Sequence, residues 1–410
     1  MPSRARIIVV GILFFMLVVS VVPWRRQTIF EGGLDAVVVG KAAVAVLTLT
    51  LAVLLWARTR VHMPIGLGPA FVLGIALMVT VLGAVVSGNE SSTIVLVARV
   101  AMVTATILLL LSAVPWVTAL ACLFSAMGVL AVIAGVTGIR TYGAAGRLAG
   151  GVPEFHPNEL AGLCAAPIIA LVIYTLRRGV RWWAIAAVFV LLAIVVASGS
   201  RTALLGIAVA AGLAVLTNGI RDRSVLYALL GALPLAYAIG AFTGVLGNLA
   251  SRGGSRDADT ALDSRFDAWS VVLGWDWTSW EKWIGLGLSV KTVKVDIKWR
   301  DTQVLDSSWV SLLAQAGFIG AVLVAAVVVW CIASAVISSS RRGVFVPLLA
   351  ILVIRSVTES GLFDSAMPFV LLVTFSTLLT HRSRHADEML AGRRDLPSTS
   401  EVRPAAVGLV

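Results

Sequence analysis

Charge is scarce in this 410-residue chain: Asp, Glu, Lys and Arg make up 13% of it, where soluble domains carry about 25%. Hydrophobic residues make up 59%, and the mean hydropathy is +0.98. That balance excludes an ordinary soluble enzyme, a disordered chain and a coiled coil. Cysteine is equally sparse. Cys122, Cys164 and Cys331 all lie in apolar runs without CxxC or CxxH spacing, which excludes a disulfide framework or a zinc ribbon and fits small core residues. No HExxH motif or Cys/His cluster is present, so the expectation is no metal and no cofactor.

Long apolar runs are what the chain has in abundance. A membrane span needs about 20 mostly apolar residues. Twelve such segments can be drawn, at about 7–23, 34–56, 66–86, 93–113, 115–138, 159–176, 182–198, 203–217, 224–247, 308–337, 343–359 and 362–380. Each must be helical, because hydrocarbon offers no partner to free backbone groups. The fold expected is therefore an all-α membrane protein of about 12 transmembrane helices, with one large extramembrane loop between helices 9 and 10. The organisation reads as helices 1–9 over residues 1–247, a loop over 248–306, helices 10–12 over 307–380 and a polar, disordered tail over 381–410. No internal repeat supports an inverted-repeat transporter. The first apolar run ends in Pro23-Trp24-Arg25-Arg26 without a small-x-small cleavage site, so it reads as a retained span.

The net charge of +11 raises the question of nucleic acid. The basic residues, however, sit in short clusters between apolar runs, as topology signals do. With the N-terminus in the cytoplasm, cytoplasmic segments carry 16 Lys and Arg residues against five in the short external loops. The expectation is a multi-pass protein of the cytoplasmic membrane with both termini inside and no nucleic-acid partner.

Two external segments stand apart. One, 139–158, is Gly-rich and ends Glu154-Phe155-His156-Pro157-Asn158. The other is the 248–306 loop, with six of the thirteen Trp residues. Its stretch from Ser264 to Gly285 reads as one helix, with Phe266, Trp269, Leu273, Trp277, Trp280 and Ile284 at spacings of three and four. It suits an interfacial helix anchored by Trp, or a lid whose rings stack on sugars.

Ionisable groups inside spans are costly and therefore functional candidates. Lys41, Arg99 and Arg355 lie in spans. Lys41 is near an end and can snorkel, Arg355 can pair with Glu359 at i, i+4, and Arg99 has no such explanation. Ser198-Gly199-Ser200-Arg201 places a Gly turn and an Arg at a helix start, an arrangement suited to phosphate. Asp263-Ser264-Arg265 precedes the aromatic stretch, and Asp306-Ser307-Ser308-Trp309 opens the tenth span. Asp306 suits a helix cap or a general base.

Taken in order, these segments resemble the O-antigen ligase / Wzy O-antigen polymerase superfamily. His156-Pro157-Asn158-Glu159-Leu160-Ala161 is similar to its x-P-N-x-x-A entry to a span, and Ser198-Gly199-Ser200-Arg201-Thr202 to its T-G-S-R-T. Ser264-Arg265-Phe266-Asp267-Ala268-Trp269 with Ile284-Gly285-Leu286-Gly287 is similar to its S-G-R-x-x-x-W and L-x-G-x-G blocks. The run from Asp306 to Gly320 is similar to its H-N-S-Y-L-x-x-L-A-E-x-G-L-I-G. The resemblance covers about residues 150–325. It implies transfer of a glycan from a polyprenyl diphosphate carrier to a glycan or lipid acceptor hydroxyl, at the outer face of the cytoplasmic membrane. It implies that Arg201 and Arg265 stabilise the departing diphosphate and that Asp306 stands where ligases have a His base. Ser200, Arg99, His156, Asn158, Trp269 and Ser307 are the candidate substrate-binding residues. His156 is a possible substitute base. A transporter or flippase of a lipid-linked glycan and a non-catalytic membrane scaffold are the competing readings.

Overall fold

The computed structural model describes residues 3–24, 36–220, 266–297 and 300–380. Its elements before the loop are α1 (Arg4–Val21), α2 (Ala36–Arg58), α3 (Gly68–Ser87), α4 (Glu90–Ala113), α5 (Trp116–Thr137), α6 (Ile139–Ala145), α7 (Pro157–Arg178), α8 (Trp182–Ser198) and α9 (Arg201–Asn218). The loop contributes a helix over 266–273, named α10, then α11 (Trp280–Ile284), β1 (Thr292–Ile297) and β2 (Arg300–Val304). Then come α12 (Ser308–Ile337), α13 (Arg342–Thr358) and α14 (Met367–Thr380). Eleven of the twelve expected segments coincide with a helix. The twelfth, 224–247, lies outside the described residues, as do Arg265 and the 381–410 tail.

Among the described residues, eight helices are long and apolar enough to cross a membrane: α1 to α5, α7, α9 and α12. α8 and α14 are apolar but shorter. This is the build of a multi-span membrane protein. Several hydroxyls inside the spans bond back to their own helix, as Thr48 to the Val44 carbonyl (2.6 Å) and Thr106 to that of Met102 (2.8 Å), which satisfies them without water. α14 is buried on every side from Met367 to Leu379 and forms a central post. α2 buries only Ala45, Thr48 and Ala52 and is peripheral, its remaining surface suited to lipid.

Successive spans run antiparallel, so the connections gather at two ends. At one end the Met63 N–H bonds to Ser112 O (2.7 Å), and Asn218 links Arg177 Nε (2.7 Å) to Gly343 O (2.8 Å). Arg58, Arg60, Arg177, Arg178, Arg181, Arg341 and Arg342 lie at or next to helix termini at this end. At the other end the Leu148 N–H bonds to Ala197 O (2.8 Å), Ser87 Oγ to Leu286 O (2.8 Å) and the Ser308 N–H to Glu359 O (3.1 Å). This second end carries the Trp-rich loop and is called the loop end below.

The loop departs from the expected single helix between Ser264 and Gly285. The structure divides the aromatic stretch into α10 and α11, with a turn over 274–279. Gly274 starts that turn, and the Asp276 carboxylate accepts the Thr278 N–H at 2.9 Å, a local bond that competes with helix. A hairpin follows, Thr292 pairing with Val304 and Lys294 with Thr302. Val293 and Val295 pack with Ala268, Val272, Leu305, Val310 and Ala314 in a small core of their own.

α12 also departs from a continuous span. Its backbone breaks at Gly317 (φ 63°, ψ −167°). The segment 284–287 fills the break: the Leu286 N–H bonds to Ala314 O (2.8 Å) and the Gly287 N–H to Gln315 O (3.1 Å). Gly285 (φ 72°) and Gly317 lie backbone to backbone, and Gly83 of α3 faces Gly285. Only glycine adopts this conformation cheaply and admits such contact. The final span likewise begins at Met367, since 359–366 is a non-helical connection.

Candidate functional site

The site is built outward from the start of α7. Pro157 occupies its first turn, and His156 is its N-cap, Nδ1 accepting the Asn158 N–H at 3.4 Å. That cap projects the Asn158 side chain at the loop end. Asn158 Nδ2 donates to Glu359 Oε1 at 2.7 Å, and its Oδ1 accepts from Arg147 Nη2 at 3.0 Å. Arg147 Nε in turn donates to Ser198 O at 2.9 Å. Glu359 ends α13, and its carbonyl accepts both the Ser308 N–H (3.1 Å) and the Ser308 hydroxyl (2.6 Å). Ser308 Oγ accepts the Leu362 N–H at 3.2 Å, and Trp309 Nε1 donates to Ser356 Oγ at 3.0 Å. One bonded chain thus joins the entry to α7, the turn before α9 and the start of α12.

Beneath it, Arg355 is buried and lies 4.0 Å from Glu159. A Cβ at Gly162 would overlap its guanidinium, so glycine there makes the room. The i, i+4 pairing expected between Arg355 and Glu359 is replaced. α13 ends at Thr358, so Glu359 leaves the helical geometry (φ −134°) and turns to Asn158.

The remaining candidates take these places. Arg201 is the first residue of α9 and is exposed; Ser200 is its buried N-cap, without a side-chain capping bond. Asp306 is partly buried and stands one residue before the N-cap of α12. That cap is Ser307, itself 3% exposed, so the expectation that Asp306 caps the helix is corrected. The His156 Nδ1 lone pair thus serves as the cap of α7 in this conformation. Trp269 packs against the small loop core and meets Phe266 edge to face at 5.5 Å. Phe266 is exposed, as are Trp277, Trp283 and Phe318, which meet one another at 5.5–5.8 Å. The composition of the exposed group suits a membrane interface. Arg265 lies outside the described residues, so whether it meets Arg201 is not described.

Arg99 belongs to a different group. Its Nη2 donates to Ser20 O at the end of α1 (2.8 Å). It lies within electrostatic reach of Lys41 and of Asp364, and Lys291 pairs with Asp364 at 2.7 Å. Asp364 stands in the 359–366 connection. Burial raises its pKa, but the Lys291 ammonium, the Ser365 N–H and Arg99 outweigh that and hold the carboxyl below the ordinary range. The two groups share the 359–366 connection, Glu359 serving one and Asp364 the other.

The chain matches no family model and no curated protein.

Sequence reasoning missed Arg147, the role of Glu359, and the Lys291–Asp364 pair. Arg147 offered one signal: it is one of two Arg residues in the Gly-rich segment just before the x-P-N block.

Proposed function

We propose that this chain is a membrane glycosyltransferase of the O-antigen ligase/polymerase type. It would transfer a glycan from a polyprenyl diphosphate carrier to an acceptor hydroxyl at the outer face of the cytoplasmic membrane. One observation carries the reading: Asn158, Ser198 and Ser308, from three separate sequence blocks, are joined by Arg147 and Glu359 at the loop end. Blocks that only stabilised their own helices would have no reason to share bonds across 51 to 201 residues of sequence.

The chemistry follows from the groups. A departing diphosphate gathers negative charge. Arg201 offers a planar fork of donors beside the free N–H groups that open α9. Arg265, from the block that leads into α10, would add a second fork. Asp306, partly buried at the mouth of α12, would accept the acceptor-hydroxyl proton as that oxygen attacks the anomeric carbon. The acceptor oxygen gains the glycosyl bond, the anomeric carbon–phosphate oxygen bond breaks, and the polyprenyl diphosphate leaves with its electron pair.

A broken helix such as α12 is also a transporter device, where freed carbonyls line a pathway. Here Leu286 and Gly287 already occupy the carbonyls of Ala314 and Gln315, which favours a braced break over a moving gate. The test is the purified chain in liposomes loaded with polyprenyl-diphosphate-linked glycan and an acceptor. The transferase reading predicts a new glycosidic product. Movement of the lipid-linked glycan across the bilayer without any product would replace it with the flippase reading.

A further inference from the structure

The second charged group has no assigned task. Lys41 lies five residues into α2 and Arg99 nine into α4, so their Cα atoms are about 8 and 14 Å below the helix starts. Arg99 reaches back up to Ser20, at the end of α1. Lys291 comes from the loop and Asp364 from the 359–366 connection. Lys291 holds the Asp364 carboxylate at 2.7 Å, Arg99 acts on the same carboxylate from α4, and Lys41 of the neighbouring α2 lies within electrostatic reach of both Arg99 and Asp364. Arg99 keeps Nε buried without a hydrogen-bond partner. Lys41 makes no hydrogen bond or ion pair among the described residues. Unmatched cations in a low-dielectric layer are costly unless an anion completes them.

We infer that Lys41, Arg99 and Lys291 form an anion site for a phosphate group, separate from the Asn158 network. Charge and depth favour phosphate. Among the described residues, Lys41, Arg99, Lys291 and Asp364 sum to two positive formal charges, and a phosphate head carries several strong acceptors for a guanidinium and an ammonium at once. The position beside the ends of α1, α2 and α4 is where a lipid head can be drawn in without crossing the apolar core. This inference does not rest on the glycosyltransferase reading. A phospholipid head, the diphosphate of a polyprenyl carrier and free phosphate share the chemistry, and the test separates them.

The experiment measures binding to the purified full chain by mass spectrometry from detergent, with phosphatidylglycerol, polyprenyl diphosphate and inorganic pyrophosphate as separate probes. Phosphatidylcholine provides the zwitterionic reference. At least one anionic probe should bind in preference to phosphatidylcholine, and the one retained longest identifies the source. Lys41→Gln should weaken that probe about tenfold or more, the loss of one charge-assisted contact. Lys41→Arg should largely restore it. Arg99→Gln should weaken it comparably. If Arg99→Gln loses its fold with Ser20, Lys41→Gln decides alone, since it breaks no bond within the protein. Equal binding by wild type and Lys41→Gln, or no preference for any anionic probe, would overturn the site.

Discussion

Asn158 is the residue on which the loop-end network turns. It gives one amide hydrogen bond to Glu359 and takes one from Arg147. Replacing it by Ala removes the bond it gives to Glu359 and the one it takes from Arg147, a cost of about 1–3 kcal/mol. Asn158→Asp keeps the acceptor toward Arg147 but sets a carboxylate against Glu359, so it should be no better. Thermal unfolding of the purified variants in detergent checks both, with a lowered midpoint expected. Asp306 is a different case. Because Ser307 and not Asp306 stands at the N-cap position of α12, and Asn keeps the size and an acceptor oxygen of Asp, Asp306→Asn should leave folding close to wild type. The proposed role as base predicts a loss of about 10²–10⁴ in transfer rate. Normal transfer by folded Asp306→Asn would remove it from the mechanism. His156→Ala, by contrast, should act mainly through the cap of α7 and cost about 0.5–2 kcal/mol.

At the scale of elements, the spans were legible and the loop was not. Apolar runs of sufficient length leave helix as the only lipid-compatible structure, and eleven of them coincide with helices. The aromatic stretch kept helical spacing from Phe266 to Ile284, yet Gly274 and the Asp276–Thr278 turn interrupt it. Periodicity records which side chains share a face, not whether the backbone between them is continuous. The break in α12 was hidden for the same reason: Gly317 sits within an unbroken apolar run. Its meaning lies in Gly285, 32 positions earlier, which only the fold brings beside it. Gly285→Ala adds a Cβ at φ 72° against the backbone of Ala316 and Gly317. The left-handed conformation alone costs about 1–2 kcal/mol, and the overlap adds to it. The expected result is a poorly folded protein, or a midpoint lowered by more than that of Asn158→Ala. A wild-type midpoint would show that the 284–287 segment is not seated in α12.

For the whole molecule, the candidate site was partly legible. The x-P-N, S-G-S-R and D-S-S-W segments were each singled out, and Asn158, Ser198 and Ser308 do converge. The links between them, Arg147 and Glu359, were invisible because a bond across 201 residues leaves no local spacing. The orientation proposed for the bundle, with the loop end outside, rests on charge: 16 Lys and Arg residues against five. In a Cys-free background, a Cys at Thr278 should react with a membrane-impermeant reagent in intact cells, and a Cys at Ser340 should not. The reverse pattern would put the loop in the cytoplasm and with it the proposed transfer site. The central claim, that the loop end joins a glycan to an acceptor at the expense of a polyprenyl diphosphate, is tested most directly by one measurement. Purified wild type and Arg201→Ala are reconstituted with a polyprenyl-diphosphate-linked glycan and an acceptor, and glycosidic product and released polyprenyl diphosphate are quantified together. The account predicts equal amounts of the two from wild type and a rate about 10²–10³ lower for Arg201→Ala, the loss of one donor to the leaving group. Diphosphate release without product, or equal rates from the two proteins, would contradict it.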